Sequence, residues 1–290
     1  MNKKFSHFIE LGLAILVMSS SGTLGRYIEL PPPVTIWMRC VIATVALYIV
    51  LRLWKINIRI LQENFWLLFI SAVFLGLHWV TYFFSLHLST VAIGMLSLFT
   101  YPVITALLEP FMLRTKLQPG SLVLAVFAFA GVALLVPELS FDNHYTVGIA
   151  IGISSALFYS IRNILMKKKV GEHSGIALMY YQLLIISILL LPAIFIYDFS
   201  WELDVMPRWQ PLLILGLFTT ATGHTLFVLS FRHFTISTVS IISAITPLLG
   251  TMLGFIFLDE VPAGKTVIGG LLIFLTVIVE SIRSAKQKVG

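Results

Sequence analysis

Trp66-Leu-Leu-Phe-Ile-Ser-Ala-Val-Phe-Leu-Gly-Leu-His-Trp-Val-Thr-Tyr-Phe-Phe-Ser-Leu86 contains no Asp, Glu, Lys or Arg. A helix needs about 20 mostly apolar residues to cross the hydrocarbon core of a bilayer, and this stretch is of that length. Nine further segments read the same way: Phe8–Tyr27, Val34–Leu51, Thr90–Leu113, Pro119–Val136, Tyr145–Met166, Ser174–Tyr197, Trp209–Phe231, Thr235–Leu258 and Lys265–Ile282. In chain order they are segments 1 to 10, the quoted stretch being segment 3. Between them the loops are short, the longest being Arg52–Phe65, Pro137–His144 and Asp198–Arg208.

Composition leads to the same class. Of 290 residues, 58% are hydrophobic and 11% charged, against roughly 25% charged in soluble domains. Mean hydropathy is +0.98. A water-soluble globule of this size could not hide so much apolar surface. The expected fold is therefore an all-α integral membrane protein of ten transmembrane helices, with no room for a second, soluble domain. The net charge of +6 does not point to nucleic acid, because the basic residues sit in short clusters between apolar runs. The single cysteine, Cys40, lies inside an apolar run, which excludes an intrachain disulfide framework and a Cys-rich metal site.

Lys and Arg placement sets the expected orientation. With the N-terminus inside, Lys3, Lys4, Arg52, Lys55, Arg59, Arg114, Lys116, Lys167, Lys168, Lys169, Arg232, Arg283, Lys286 and Lys288 fall on the cytoplasmic side. Only Arg26, Arg208 and Lys265 fall outside, and Arg39 and Arg162 lie within segments. Both termini are thus expected in the cytoplasm.

The two halves of the chain resemble each other. Gly12-Leu-Ala-Ile followed by Ser19 and Arg26 aligns without a gap on Gly148-Ile-Ala-Ile followed by Ser155 and Arg162. Later, the stretch through Pro102 aligns on that through Pro247, with Ser85 on Ser230, Thr90 on Thr235 and Leu113-Arg114-Thr115 on Leu258-Asp259-Glu260. The first segment, with Lys3 and Lys4 ahead of it, could pass for a signal peptide, but its partner later in the chain argues for a structural helix. Five segments per half is an odd number, so the second half enters the membrane inverted. Residues 1–143 and 144–290 then form two inverted five-helix repeats, an arrangement found in secondary transporters.

Leu86-His-Leu-Ser-Thr-Val-Ala-Ile-Gly94, Thr100-Tyr101-Pro102 and Leu107-Leu-Glu-Pro-Phe111 resemble the first-repeat pattern of EamA-type transporters in the drug/metabolite transporter superfamily. Thr238-Val-Ser240, Thr246-Pro-Leu-Leu-Gly250 and Leu258-Asp-Glu260 are similar to the second-repeat pattern, and Arg39 fits an arginine often found in segment 2. The resemblance covers nearly the whole chain. It implies a carrier in the bacterial inner membrane, often an exporter of amino acids or other small metabolites. It also implies a central cavity lined by segments 1, 3, 4, 6, 8 and 9. Arg114-Thr115 departs from the family's Gly-Glu ending of segment 4, which removes an acid from that point.

Residue types nominate the cavity lining. Arg39 in segment 2 costs roughly 2.5–3.5 kcal/mol to insert, so it either pairs within the protein or meets an anionic substrate. His78 and Tyr82 share a face of segment 3, with Trp79 beside them. His224 lies in segment 8, the repeat mate of segment 3. The two histidines would make protons the coupling ion, or each hydrogen-bonds a neighbouring helix as a neutral group. Tyr101 and Tyr159 sit within spans, where a hydroxyl needs a partner. Ser97, Ser243 and Thr246 lie just ahead of Pro102 and Pro247, as polar lining or as partners for broken backbone. The two prolines would kink segments 4 and 9 at matched positions and serve as gating or cavity-shaping points. Gly148-x-x-x-Gly152 and Gly250-x-x-x-Gly254 allow close helix contact, within the chain or between chains, so monomer and homodimer stay open.

No HExxH, GxSxG, nucleotide-binding loop or paired intramembrane aspartates occur, which disfavours an enzyme, and nothing in the chain calls for a cofactor or a metal. The expected function is a secondary transporter moving a small-molecule substrate across the lipid bilayer by alternating access, exporting it. A channel or a non-transporting scaffold is the alternative.

Overall fold

The structure, a computed structural model, describes residues 3–56, 65–114, 119–135, 140, 142–169 and 173–287. Arg59, Lys116 and Lys288 of the charge count lie outside the described residues. The described residues are helical, with no strand among them. The helices are α1 (Lys3–Ile28), α2 (Pro32–Leu53), α3 (Phe65–Leu88), α4 (Val91–Leu98), α5 (Tyr101–Leu113), α6 (Pro119–Leu135) and α7 (His144–Lys169). They continue with α8 (Gly175–Leu189), α9 (Ala193–Ile196), α10 (Trp209–Ile214), α11 (Thr225–Ser230), α12 (Ile236–Ser243), α13 (Thr246–Leu258) and α14 (Gly264–Gln287). Among the described residues, seven helical stretches are long and apolar enough to cross a membrane, from Ser6–Ile28 to Trp201–Ser230. Pro119–Leu135 and Thr246–Leu258 are shorter apolar helices.

The outer faces stay apolar. Leu16, Val126, Phe195, Phe255 and Ile268 are all exposed, a distribution that lipid, not water, accommodates. Inside, several buried hydroxyls are satisfied locally. Buried Ser19, Ser71, Ser85-facing Ser89 and Thr105 hydroxyls donate to carbonyls three or four residues earlier on their own helices, the usual solution where no water is at hand.

Segments 4 and 9 are broken, not merely bent. A proline lacks the N–H for the i−4 bond and its ring crowds the i−4 carbonyl. Pro102 therefore ends α4 at Leu98, and the chain restarts at Tyr101 with proline in the first turn, where the N–H is dispensable. Pro247 likewise stands in the first turn of α13, after α12 stops at Ser243. The expected mid-helix kinks are thus short breaks, and each proline opens the second half of its segment. At the first break the Thr100 hydroxyl donates to the Ser97 carbonyl at 2.8 Å.

Segment 8 carries a second irregularity. Leu215–His224 is a π-helix between α10 and α11. Thr219 and Thr220 both donate their hydroxyls to the Leu215 carbonyl, at 2.6 and 2.7 Å. Such wide turns recur at functional positions.

α3 packs along α7, and α1 packs on both α13 and the π-helical stretch. α2 pairs with α8, and α6 with α14. Both glycine motifs are used within the chain. A Cβ on Gly148 would lie 3.2 Å from the Ser89 side chain, and one on Gly152 only 2.6 Å from Ser97 Cβ. Gly250 faces Met95 and Gly254 faces Val91, so α13 approaches α4 closely.

Candidate functional site

A cavity lies between α1, α3, α4, α7, α11, α12 and the two broken segments. Its wall includes His78, Trp79 and Tyr82 from α3, Tyr101 from α5 and Tyr159 from α7. His224, Ser243 and Thr246 complete the polar lining that sequence nominated. The apolar part of the wall is Ile15, Met18, Met95, Leu98, Phe99 and Phe227. The helical register explains the first group. His78 and Tyr82 are one turn apart, and their rings are 6.1 Å apart and nearly parallel.

The rings pack in two groups. His78 lies on Tyr159 at 4.3 Å, Tyr159 meets Tyr101 edge-on at 5.0 Å, and Trp79 meets His224 edge-on at 4.9 Å. Aromatic pairs at such separations hold each other in place. The His78 ring is also fixed by hydrogen bonding. Its Nδ1 is 2.7 Å from the Ser155 hydroxyl, which also lies 2.8 Å from the His78 carbonyl. With the hydroxyl donating to that carbonyl, Nδ1–H donates to Ser155, and Nε2 is the nitrogen left for other partners. His224 Nδ1 is buried and has no hydrogen-bond partner in the structure.

Arg39 and Ser97 stand elsewhere. Arg39 is fully buried but sits one side chain behind the cavity wall. It donates from Nε to Thr220 at 2.8 Å, from Nη2 to Thr219 and from Nη1 to Ser21, both at 3.3 Å. Its guanidinium also covers the Trp79 ring at 4.6 Å, a cation–π contact. The π-helical turn is what brings two consecutive threonines to one guanidinium. Ser97 donates to the Ile93 carbonyl and packs against Gly152, on the side of α4 that meets α7. Pro102 is buried at the start of α5, and Pro247 faces a separate apolar groove between α12, α13 and α14.

Sequence reasoning missed a second buried guanidinium network. Arg162 donates to Gln182 Oε1 at 2.8 Å and to Asn163 Oδ1 at 3.1 Å. The Gln182 amide donates in turn to Ser71 at 2.6 Å, joining α7, α8 and α3. Sequence reading also passed over Ser21, Ser155, Thr219 and Thr220. The one visible signal was Thr219-Thr220, two adjacent hydroxyls in an apolar run.

Contacts between helix ends stand at both ends of the bundle. At one end Arg26 Nη1 donates to the carbonyls of Leu86 and His87, at 2.9 and 2.6 Å. Arg26 also pairs with Glu260, whose other oxygen accepts from the Val91 amide at 2.7 Å. At the opposite end Lys167 donates to the carbonyls of Phe231 and Phe234. There the His7 and His233 rings stack at 3.5 Å. Between these contacts the cavity is about 50 Å³, room for a few waters. Among the described residues no group of three His, Cys, Asp or Glu side chains is placed to hold a metal.

Comparison with known proteins adds identity to this geometry. The family model described as the EamA-like transporter family matches residues 9–136 and again 146–282. A pseudopaline exporter, CntI, from Pseudomonas aeruginosa is 22% identical over 91% of this chain and 88% of its own length. An uncharacterized transporter, sll1164, from Synechocystis is 24% identical over 64% of this chain; the alignment spans 57% of that relative's length. An uncharacterized transporter, YwfM, from Bacillus subtilis is 25% identical over 77% of this chain and 75% of its own. A solved structure superposes with a TM-score of 0.70 at 17% identity, covering 97% of this chain and 98% of the other; this likeness concerns the fold.

Proposed function

The chain belongs to the EamA-like transporter family, a multi-pass membrane transporter and not an enzyme, and from that premise we propose a secondary carrier that exports a small metabolite by alternating access. The observation that carries this reading is a small central cavity with contacts between helix ends of the two halves at opposite ends of the bundle. A channel needs a continuous path, whereas a carrier needs closures that open in turn. Here Arg26 and Glu260 tie helix ends at one end, and Lys167 with His7 and His233 does so at the other, contacts that would open in turn.

The carrier works through ten spans in two inverted repeats, residues 1–143 and 144–290. The helix pairings support this division. Exchanging the halves converts the packing of α1 on segment 8 into that of α3 on α7. It likewise converts α1 on segment 9 into α7 on segment 4, and maps α2–α8 and α6–α14 onto themselves. The latches support it too. In each half a basic residue near the end of the first helix caps the carbonyls that end the third, through Arg26 in one and Lys167 in the other. Two halves of this kind can exchange conformations, which turns the cavity from one side to the other.

His78, Trp79, Tyr82, Tyr101, Tyr159, His224, Ser243 and Thr246 contact the substrate, with Arg39 and Ser97 positioning the wall from behind. The breaks at Pro102 and Pro247 act as hinges. Protons are the coupling ion through His78 and His224. The protein resides in the inner membrane with both termini cytoplasmic, and a relative's role as an exporter supports outward transport.

Counterflow in proteoliposomes tests this. A carrier exchanges labelled for unlabelled solute and saturates, whereas unsaturable flux marks a channel. Absence of flux for every solute in a broad metabolite screen would leave a scaffold as the better reading.

A further inference from the structure

Arg39 and Arg162 are fully buried within spans, and neither is paired with a carboxylate among the described residues. Their hydrogen bonds go to neutral groups: hydroxyls of Ser21, Thr219 and Thr220 for Arg39, and side-chain carbonyls of Asn163 and Gln182 with the Met179 sulfur for Arg162. A guanidinium does not lose its proton at physiological pH. Two cations therefore sit in a low-dielectric core without counter-charge. Removing the partner of a buried ion is heavily penalised, so an uncompensated pair points to a counter-ion that arrives with function. Both charges stand next to the cavity wall: Arg39 covers the Trp79 ring at 4.6 Å, and Arg162 lies one turn beyond Tyr159 on α7.

Ser21 carries the charge of Arg39 to the cavity. Arginine has no acceptor, so Ser21 Oγ accepts from Arg39 Nη1 and keeps its own O–H to give. Ser21 also lines the cavity. A hydroxyl polarised by a cation on one side is a strengthened donor on the other. His224 Nδ1, buried and unpartnered, lines the same cavity. The wall also carries the aromatic rings of Trp79, Tyr159 and Phe227.

We infer that the cavity selects a net-anionic, carboxylate-bearing small molecule, whose carboxylate takes the Ser21 hydroxyl and is held by the fields of Arg39 and Arg162. This rests on the carrier reading and narrows it to one charge class. A zwitterion brings its own cation and compensates neither guanidinium; an amine adds a third positive charge.

The test uses two charge series of constant shape. One is 3-phenylpropanoate, 3-phenylpropanamide, 3-phenylpropylamine and phenylalanine; the other is propanoate, propanamide, propylamine and alanine. Binding is read by thermal shift of the purified full chain at fixed ionic strength, and transport by counterflow. The expected result is that, in at least one series, the carboxylate binds at least tenfold more tightly than its amide, amine and amino acid. Ser21→Ala should lose most of that preference. Thr219 and Thr220 still hold Arg39 in this variant, so it keeps its fold. The inference is overturned if an amide, amine or zwitterion equals the carboxylate in both series, if no carboxylate binds, or if Ser21→Ala keeps the full preference. A carboxylate that binds selectively but is not exchanged would instead overturn the carrier reading and leave the anion site standing.

Discussion

Arg26 and Glu260 meet at 3.6 Å at one end of the bundle and tie together four chain segments. Arg26 closes the last carbonyls of α3, while Glu260 accepts the Val91 amide at the start of α4. The contact joins the end of α1 to the end of α13, residues on opposite halves of the sequence.

Arg26→Gln is expected to weaken this end more than Glu260→Gln. The arginine supplies two charge-assisted bonds to carbonyls besides the ion pair, together on the order of 2 kcal/mol. Loss of Glu260 charge leaves those bonds in place and costs little, because burial of the carboxylate already offsets its pairing with Arg26. Thermal unfolding in lipid nanodiscs checks the order; equal melting temperatures for the two variants would contradict it.

Glu260 also sets a pH dependence. Burial pushes its carboxyl above the ordinary value of 4.5, against the opposing pull of the Val91 amide and Arg26. A carboxyl raised in the folded state binds its proton more tightly folded than unfolded. Its contribution to stability is therefore full below pH 4.5 and is lost as pH rises through the raised value. On acidification the native chain should gain stability relative to Glu260→Gln, although the ion pair to Arg26 is lost in the same step. A melting-temperature difference that stays constant with pH would argue against this sign.

Proton coupling by His78 or His224 predicts a split between two transport modes. Replacing the coupling histidine by Gln should abolish the pH dependence of net flux and spare solute exchange, since exchange needs no net proton movement. If both single variants and the double variant keep the wild-type pH dependence, neither ring carries the proton.

Two glycines offer the same substitution with opposite outcomes. Nothing lies within 4 Å of a Cβ placed on Gly12, so Gly12→Ala should stabilise α1 by up to about 1 kcal/mol through helix propensity. A Cβ on Gly152 would fall 2.6 Å from Ser97 Cβ, an atom that cannot rotate away. Gly152→Ala should therefore destabilise by roughly 1–3 kcal/mol. Paired melting curves decide it.

Much of the cavity wall was legible from residue type and helical spacing. His78, Trp79 and Tyr82 share a stretch of α3, and a buried tyrosine such as Tyr159 needs polar company. Arg39 was legible only as an anomaly. Its hydroxyl partners depend on a π-helical turn that places Thr219 and Thr220 side by side against a residue about 180 positions earlier. Ser97 fitted a polar lining by its position ahead of Pro102, yet the rotation of α4 turns it to Gly152. Arg162 lay in plain sight within segment 6, but its partner Gln182 is on another helix.

The sequence by itself determined that this chain lies in a membrane as apolar helices. In lipid each backbone group must be satisfied within its own segment, so long uncharged runs leave little choice but the helix. The breaks at Pro102 and Pro247 follow from the same local rule, applied to a residue without an N–H. Which polar side chain faces the cavity, which stands behind it and which seals an end were decided only by tertiary structure. Those outcomes turn on the rotation and register of one helix against another, set by contacts such as Arg39 with Thr220 and Arg26 with Glu260 between residues far apart in the chain.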